Sequence, residues 1–245
     1  MPNLYSSNSD GWISSNNQSS WAAARDITSG ATPDINDNYT AYPIMSARFG
    51  SRGGGNTYKV VRSFMWFDTS GITGPVGAAT IKIRGYNQNT GTIIAVKSTA
   101  FGGDGGTLLA PGDIDAMPGW TTGASAEGNV TKYSSPAIGS GMATTWNTGG
   151  YNDLASTSDL RSDMQNNDVV IICLMDYTYD FTNTAHTSNT SKGIGFYWTN
   201  YSGTSRDPYI DYTLQYPHRV NGIQPANISK VNGIAVANIS KVNGI

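Results

Sequence analysis

At 245 residues the chain is long enough to bury a substantial core, as one large β domain or two small ones. Only 13% of its residues are charged and the formal net charge is -2, so it has no basic footprint for nucleic acid and no polybasic patch for a membrane surface. No run approaches the about 18 apolar residues that a membrane span requires, and neither nucleic acid nor membrane is an expected partner.

The N-terminus, Met1-Pro2-Asn3-Leu4-Tyr5-Ser6-Ser7, has no basic start and no apolar stretch, and does not read as a signal peptide. Trp21-Ala22-Ala23-Ala24-Arg25 after Ser20 can form one helical turn. Val60 to Phe67 reads as a strand ended by Asp68-Thr69-Ser70-Gly71. Ala79 to Arg84 alternates Ile81 and Ile83 inward with Lys82 and Arg84 outward, the period of a half-buried strand. Thr92 to Val96 follows an Asn-Thr-Gly turn. Two long Gly-rich stretches come next, Phe101 to Pro118 and Gly119 to Gly141; loops of such length tend to be functional surfaces.

Ser158 to Asn166 predicts a helix, with Ser158 as N-cap, Asp159 in the first turn and Leu160 and Met164 one turn apart, plugging one end of the fold. Asp168 to Met175 is a continuous apolar run, as expected of a central strand, and the single cysteine, Cys173, reads there as a small buried hydrophobe. Ile194, Phe196 and Trp198 share one strand face, and Ile210, Tyr212 and Leu214 share another. Many short strands, turns rich in Gly, Asn and Ser, and almost no helix predict an all-β, jelly-roll-like antiparallel β-sandwich over residues 1–216.

Residues 217–245 form a different unit. Val220-Asn221-Gly222-Ile223 and Ala226-Asn227-Ile228-Ser229-Lys230 recur as Val231-Asn232-Gly233-Ile234 and Ala237-Asn238-Ile239-Ser240-Lys241, and the chain stops at Val242-Asn243-Gly244-Ile245, an 11-residue period. Asn-Gly is the strongest two-residue turn signal, and Val and Ile favour strand over the helical supercoil that this period would otherwise suggest. Each unit reads as a turn plus a short strand. It has too little apolar surface to offset an ordering entropy of about 1–2 kcal/mol per residue. Val220, Ile223, Ile228, Val231, Ile234, Ile239, Val242 and Ile245 are therefore the expected docking or oligomerisation contacts, with a floppy terminus as the alternative.

Asp10-Gly11-Trp12-Ile13, Val61-Arg62-Ser63-Phe64-Met65-Trp66-Phe67-Asp68, Ala79-Thr80-Ile81-Lys82-Ile83 and Asp207-Pro208-Tyr209-Ile210-Asp211-Tyr212-Thr213 stand in an order that resembles the DNRLRE-type domain family. Those domains are carbohydrate-binding-module-like jelly rolls of secreted bacterial and phage virion proteins, and the likeness spans residues 8 to 216; similar modules often precede repeats like this tail. Trp66 departs from the family's polar residue at that place, and is expected either under a long loop or in an interface. The resemblance also implies a structural Ca2+, for which Asp104, Asp113 and Asp115 are candidates, with turn capping as their other role.

Trp120, Trp146 and Tyr151 lie in polar loop-like sequence and are candidates for stacking on a surface glycan, or for packing the loops onto the sandwich edge. His186 and His218 have no metal or triad spacing. The carboxylate pairs Asp113/Asp115 and Asp176/Asp180 are a weak basis for glycoside hydrolysis. The expected protein is not an enzyme. A charge-poor surface without an export signal fits a bacteriophage virion surface protein (head decoration, fibre or tail adhesin) released by lysis, unless a leader has been trimmed. Its partners would be other virion proteins or copies of itself. The alternative is a glycan-binding module of a secreted or cell-surface bacterial protein.

Overall fold

A computed structural model describes residues 3–28, 30–35, 41–51, 54–199, 203–215, 230–231 and 234–235. In chain order the first elements are β1 (Asn3–Tyr5), β2 (Gly11–Ser14), α1 (Trp21–Arg25), β3 (Thr32–Ile35), β4 (Ile44–Ser51), β5 (Gly54–Asp68), β6 (Val76–Asn89) and β7 (Thr92–Lys97). There follow β8 (Ile138–Gly139), β9 (Tyr151–Ala155), α2 (Ser158–Asn166), β10 (Val169–Met175), β11 (Thr190–Phe196), β12 (Tyr209–Leu214), β13 (Lys230–Val231) and β14 (Ile234–Ala235). The protein is an all-β, jelly-roll-like antiparallel sandwich, its first 12 strands hydrogen-bonded into one folded sheet.

Strand β6 makes the fold a sandwich. Its first part pairs with β12 and β9 in one layer, and beyond Gly85 it pairs with β11 in the other. A Cβ at Gly85 would collide with the Asn147 carbonyl and the Trp146 indole, so only glycine lets the strand turn this corner. The first layer is β1-β12-β6-β9. The second runs β11-β4-β5-β10-β7-β8, with β2 also on β5 and β3 on β2.

The main core lies between the layers. Ile81, Ile83, Leu154 and Ile210 meet Met65, Phe67, Ile172, Leu174, Ile194 and Phe196, all at 0% exposure. At about 1.5–3 kcal/mol for each large apolar side chain, this contact dominates the stability of the fold. Helix α2 closes one end through Leu160 and Met164, as its spacing predicts. Its N-cap is Thr157, whose hydroxyl accepts from the Leu160 amide, and not Ser158.

The second layer is buried on its outer face too. Phe64, Ile94, Val96, Ile171, Cys173 and Met175 pack under Phe101, Ile114, Met117, Val130 and Phe181. Both faces of β10 are thereby covered, which is why its sequence is apolar without alternation. The two Gly-rich stretches, read from their length as functional surfaces, form the roof of this second core. They are tied down by Lys97 N–H to Thr131 O, Thr99 N–H to Ala116 O and Ala126 N–H to Phe181 O, each 2.8–2.9 Å.

Candidate functional site

Beneath the roof lies a buried polar knot. One π-helical turn, Tyr177–Phe181, presents Asp180, whose two carboxylate oxygens accept from Arg62 Nε and Nη2 at 2.7 Å each. Arg62 also donates to the carbonyls of Ile114 and Arg25, and Arg25 Nε donates to the Asp180 carbonyl. All three side chains are fully buried. Burial pulls the Arg25 guanidinium below its ordinary value against the attraction of Asp180. Both arginines pack on Trp120, whose ring centre is 4.0 Å from the guanidinium carbon of Arg25 and 4.2 Å from that of Arg62.

A second buried chain joins Asp176, Ser46 and His186. The Asp176 carboxylate accepts from the hydroxyls of Ser46 and Thr92 at 2.7 and 2.6 Å, and His186 Nε2 lies 3.1 Å from the same Ser46 oxygen. Because Ser46 donates to the carboxylate, Nε2 carries the proton given to Ser46, and buried Nδ1 is left bare. Desolvation pushes His186 down to about 4. Although its neighbours in sequence are polar and loop-like, this histidine is 2% exposed, stacked on Tyr179 and edge-on to Trp21. His218 lies outside the described residues. Asp176 and Asp180 are both buried and saturated with structural hydrogen bonds, so neither faces a substrate.

The other predicted site residues are dispersed. Trp66 is half-buried and lies against the loop of Phe101 to Gly106: a Cβ on Gly105 would stand 2.9 Å from its indole, as the loop-covered alternative expects. Trp146, at 6% exposure, belongs to the main core and offers no free face. Asp104 Oδ1 accepts from the Gly106 amide at 2.8 Å, and Asp113 Oδ2 from the amides of Ala110 and Phe101 at 2.9 and 3.3 Å, which are turn-capping bonds. Asp115 sits half-buried, raised by desolvation against the pull of Arg62. Among the described residues no three His, Cys, Asp or Glu side chains converge on one point. Asp104 does line an open groove of about 480 Å³ with Lys97, Asn166 and Asp168, above Val169 and Ile171.

Tyr151, half-buried like Trp120, stands on the outer side of the first layer. The outer side of the first layer carries Tyr5 opposite Tyr209, Tyr209 opposite Lys82, and Lys82 opposite Asp153. The Tyr5 and Tyr209 rings are 5.6 Å apart, those of Tyr209 and Tyr151 5.1 Å, and the Arg84 guanidinium lies 5.8 Å from the Tyr151 ring. Desolvation, with Tyr209 and Asp207 nearby, pushes the Tyr151 phenol up to about 12. This aromatic row escaped sequence reading because Tyr5 and Tyr209 are 204 positions apart; the usable signal was the outward parity of Tyr209 beside inward Ile210.

At one edge of that layer Asp10 is wholly buried. It accepts from Ser6 Oγ at 3.0 Å, Thr199 Oγ1 at 2.9 Å and the Thr199 amide at 3.3 Å. Burial, aided by the like charge of Asp207, pushes it up to about 7.

In the tail, β13 and β14 pair Lys230 with Ala235 and Val231 with Ile234, leaving Asn232-Gly233 between them, where a turn is predicted. Ile234 is 54% exposed. Val220, Ile223, Ile228, Ile239, Val242 and Ile245 lie outside the described residues. No protein-family model matches the chain, and no curated protein matches it.

Proposed function

We propose that this is a non-enzymatic surface protein of a bacteriophage virion, with the sandwich displayed outward and the tail repeats bound to other virion proteins or to copies of itself. The observation that carries the reading is Ile234, half exposed on a two-stranded hairpin too small to be stable alone. An apolar side chain repeated at fixed spacing and left in water favours a partner that covers it. The locking of Asp176 and Asp180 into structural bonds supports a binding role over catalysis. Deleting residues 220–245 tests the anchoring: incorporation into particles should be lost while the sandwich still melts cooperatively. Undiminished incorporation rules it out.

A second reading, a glycan-binding module of a secreted or cell-surface protein, is favoured by the row of Tyr5, Tyr209 and Tyr151 beside Lys82 and Arg84. Aromatic faces flanked by hydrogen-bond donors suit pyranose rings. Under this reading Tyr151→Ala with Tyr209→Ala abolishes retention on a polysaccharide that retains the wild type. If no polysaccharide in a broad panel retains the wild type, this reading fails.

A further inference from the structure

We infer, resting on the proposed anchoring role of the tail, that the open groove lined by Asp104 and Asp168 receives the Ile-Ser-Lys element of a second copy's tail. The groove holds about 480 Å³, within the roughly 300–1,000 Å³ of sites that take a small ligand or a few side chains. Half-buried Val169 and buried Ile171 give it an apolar base, and Asp104 and Asp168 line it as exposed residues. Lys97 lines it too, but its ammonium is held by Asp163 at 2.8 Å. Among the described residues neither Asp104 nor Asp168 forms an ion pair. The groove therefore joins an apolar base to two carboxylates that a cation would complete.

The tail has the complementary chemistry. Residues 217–245 hold three of the chain's 15 Lys and Arg and none of its 17 Asp and Glu, which gives them a formal +3 and leaves -5 on the remainder. Two of those cations close the repeated element, Ile228-Ser229-Lys230 and Ile239-Ser240-Lys241. In an extended segment, residues two apart face the same way at about 7 Å spacing, so an apolar and a basic side chain are offered together. Val169 and Ile171 follow Asp168 at the same spacing on β10. Lys230 and Ile234 are both exposed, and among the described residues Lys230 makes no ion pair and no tail residue lines the groove. The chain thus leaves this hairpin to a neighbour.

Tail and groove also share one end of the sandwich. The Gln215 amide, at the root of the tail, donates to the Pro75 carbonyl at 2.7 Å. The Thr69 amide donates to the Asp168 carbonyl at 2.8 Å, and its hydroxyl to the Asn167 carbonyl at 2.6 Å. Thr69 and Pro75 are six residues apart, at most about 20 Å, and the 13 residues from Gln215 to Ile228 reach at most about 45 Å. Two copies meeting at these ends about a two-fold axis place each tail at the other's groove, an exchange of identical elements between protomers.

Sedimentation of the full chain at low salt tests this. The wild type should self-associate, and less so in about 1 M salt. Asp104→Lys with Asp168→Lys should weaken association at least about tenfold while the chain still melts cooperatively, and so should Lys230→Asp with Lys241→Asp. Mixing these two double variants should restore association, because each tail then meets a groove of opposite charge on the other chain. A monomeric wild type overturns the inference, and uptake into particles then judges the anchoring role by itself. Association that needs residues 220–245 but survives Asp104→Lys with Asp168→Lys overturns the groove and leaves the tail's role standing. Association unchanged by deleting residues 220–245, or no recovery on mixing, overturns the exchange of tails between copies.

Discussion

Arg62 and Asp180, 118 residues apart in the chain, meet as a two-pronged ion pair in which both side chains are fully buried. The pair joins β5 to the π-helical turn after β10 and, through the Ile114 and Arg25 carbonyls, to the roof and to α1. Removing one partner strands a buried charge. Asp180→Ala should cost about 3–5 kcal/mol in urea unfolding. Arg62→Met with Asp180→Leu should lose less than the two single changes added together. It should not reach wild type, because two buried carbonyls lose their donor at about 1–3 kcal/mol each.

Trp120 covers both arginines of that knot. Trp120→Ala should therefore lower stability by about 2–4 kcal/mol, combining lost cation–π contact and lost packing, and Trp120→Phe should restore part of it. A glycan-stacking role predicts the reverse: unchanged unfolding with lost binding. Parallel melts and polysaccharide retention separate the two.

His186 should make the protein acid-sensitive. Its folded value of about 4 lies below the ordinary 6.5, so between those pH values the unfolded chain binds a proton that the folded one refuses. Stability from this group is complete above pH 6.5 and falls as the pH drops towards 4, by on the order of 2–3 kcal/mol. Desolvation is the main cause, and Lys192 and Arg48 add repulsion. Melting curves from pH 7 to 4 should show a shallower decline for His186→Phe than for wild type.

Gly105 should resist substitution although it sits in a loop. Its φ is +78°, and an added methyl would meet the Trp66 ring at 2.9 Å. Gly105→Ala should cost about 1–3 kcal/mol and speed hydrogen exchange across residues 101–106. Gly103→Ala, at φ +85° but with open space around it, should cost less.

What the sequence by itself determined was local. Period-2 alternation marked β6, the unbroken apolar run marked β10, Leu160 and Met164 marked the buried side of α2, and Asn-Gly marked the separation of β13 from β14. These patterns record how each segment meets a core, and a few neighbouring residues carry them. Strands β4 and β9 have no such run and were not recognised. Only the tertiary structure decided which residues stand together: Arg62 with Asp180, His186 with Ser46, Tyr5 with Tyr209, Gly105 with Trp66. Each pair is joined by strand order and by a loop layer folding back over a sheet. Polar and aromatic side chains take their role from the partner that burial supplies, and no local pattern names a partner so many residues away.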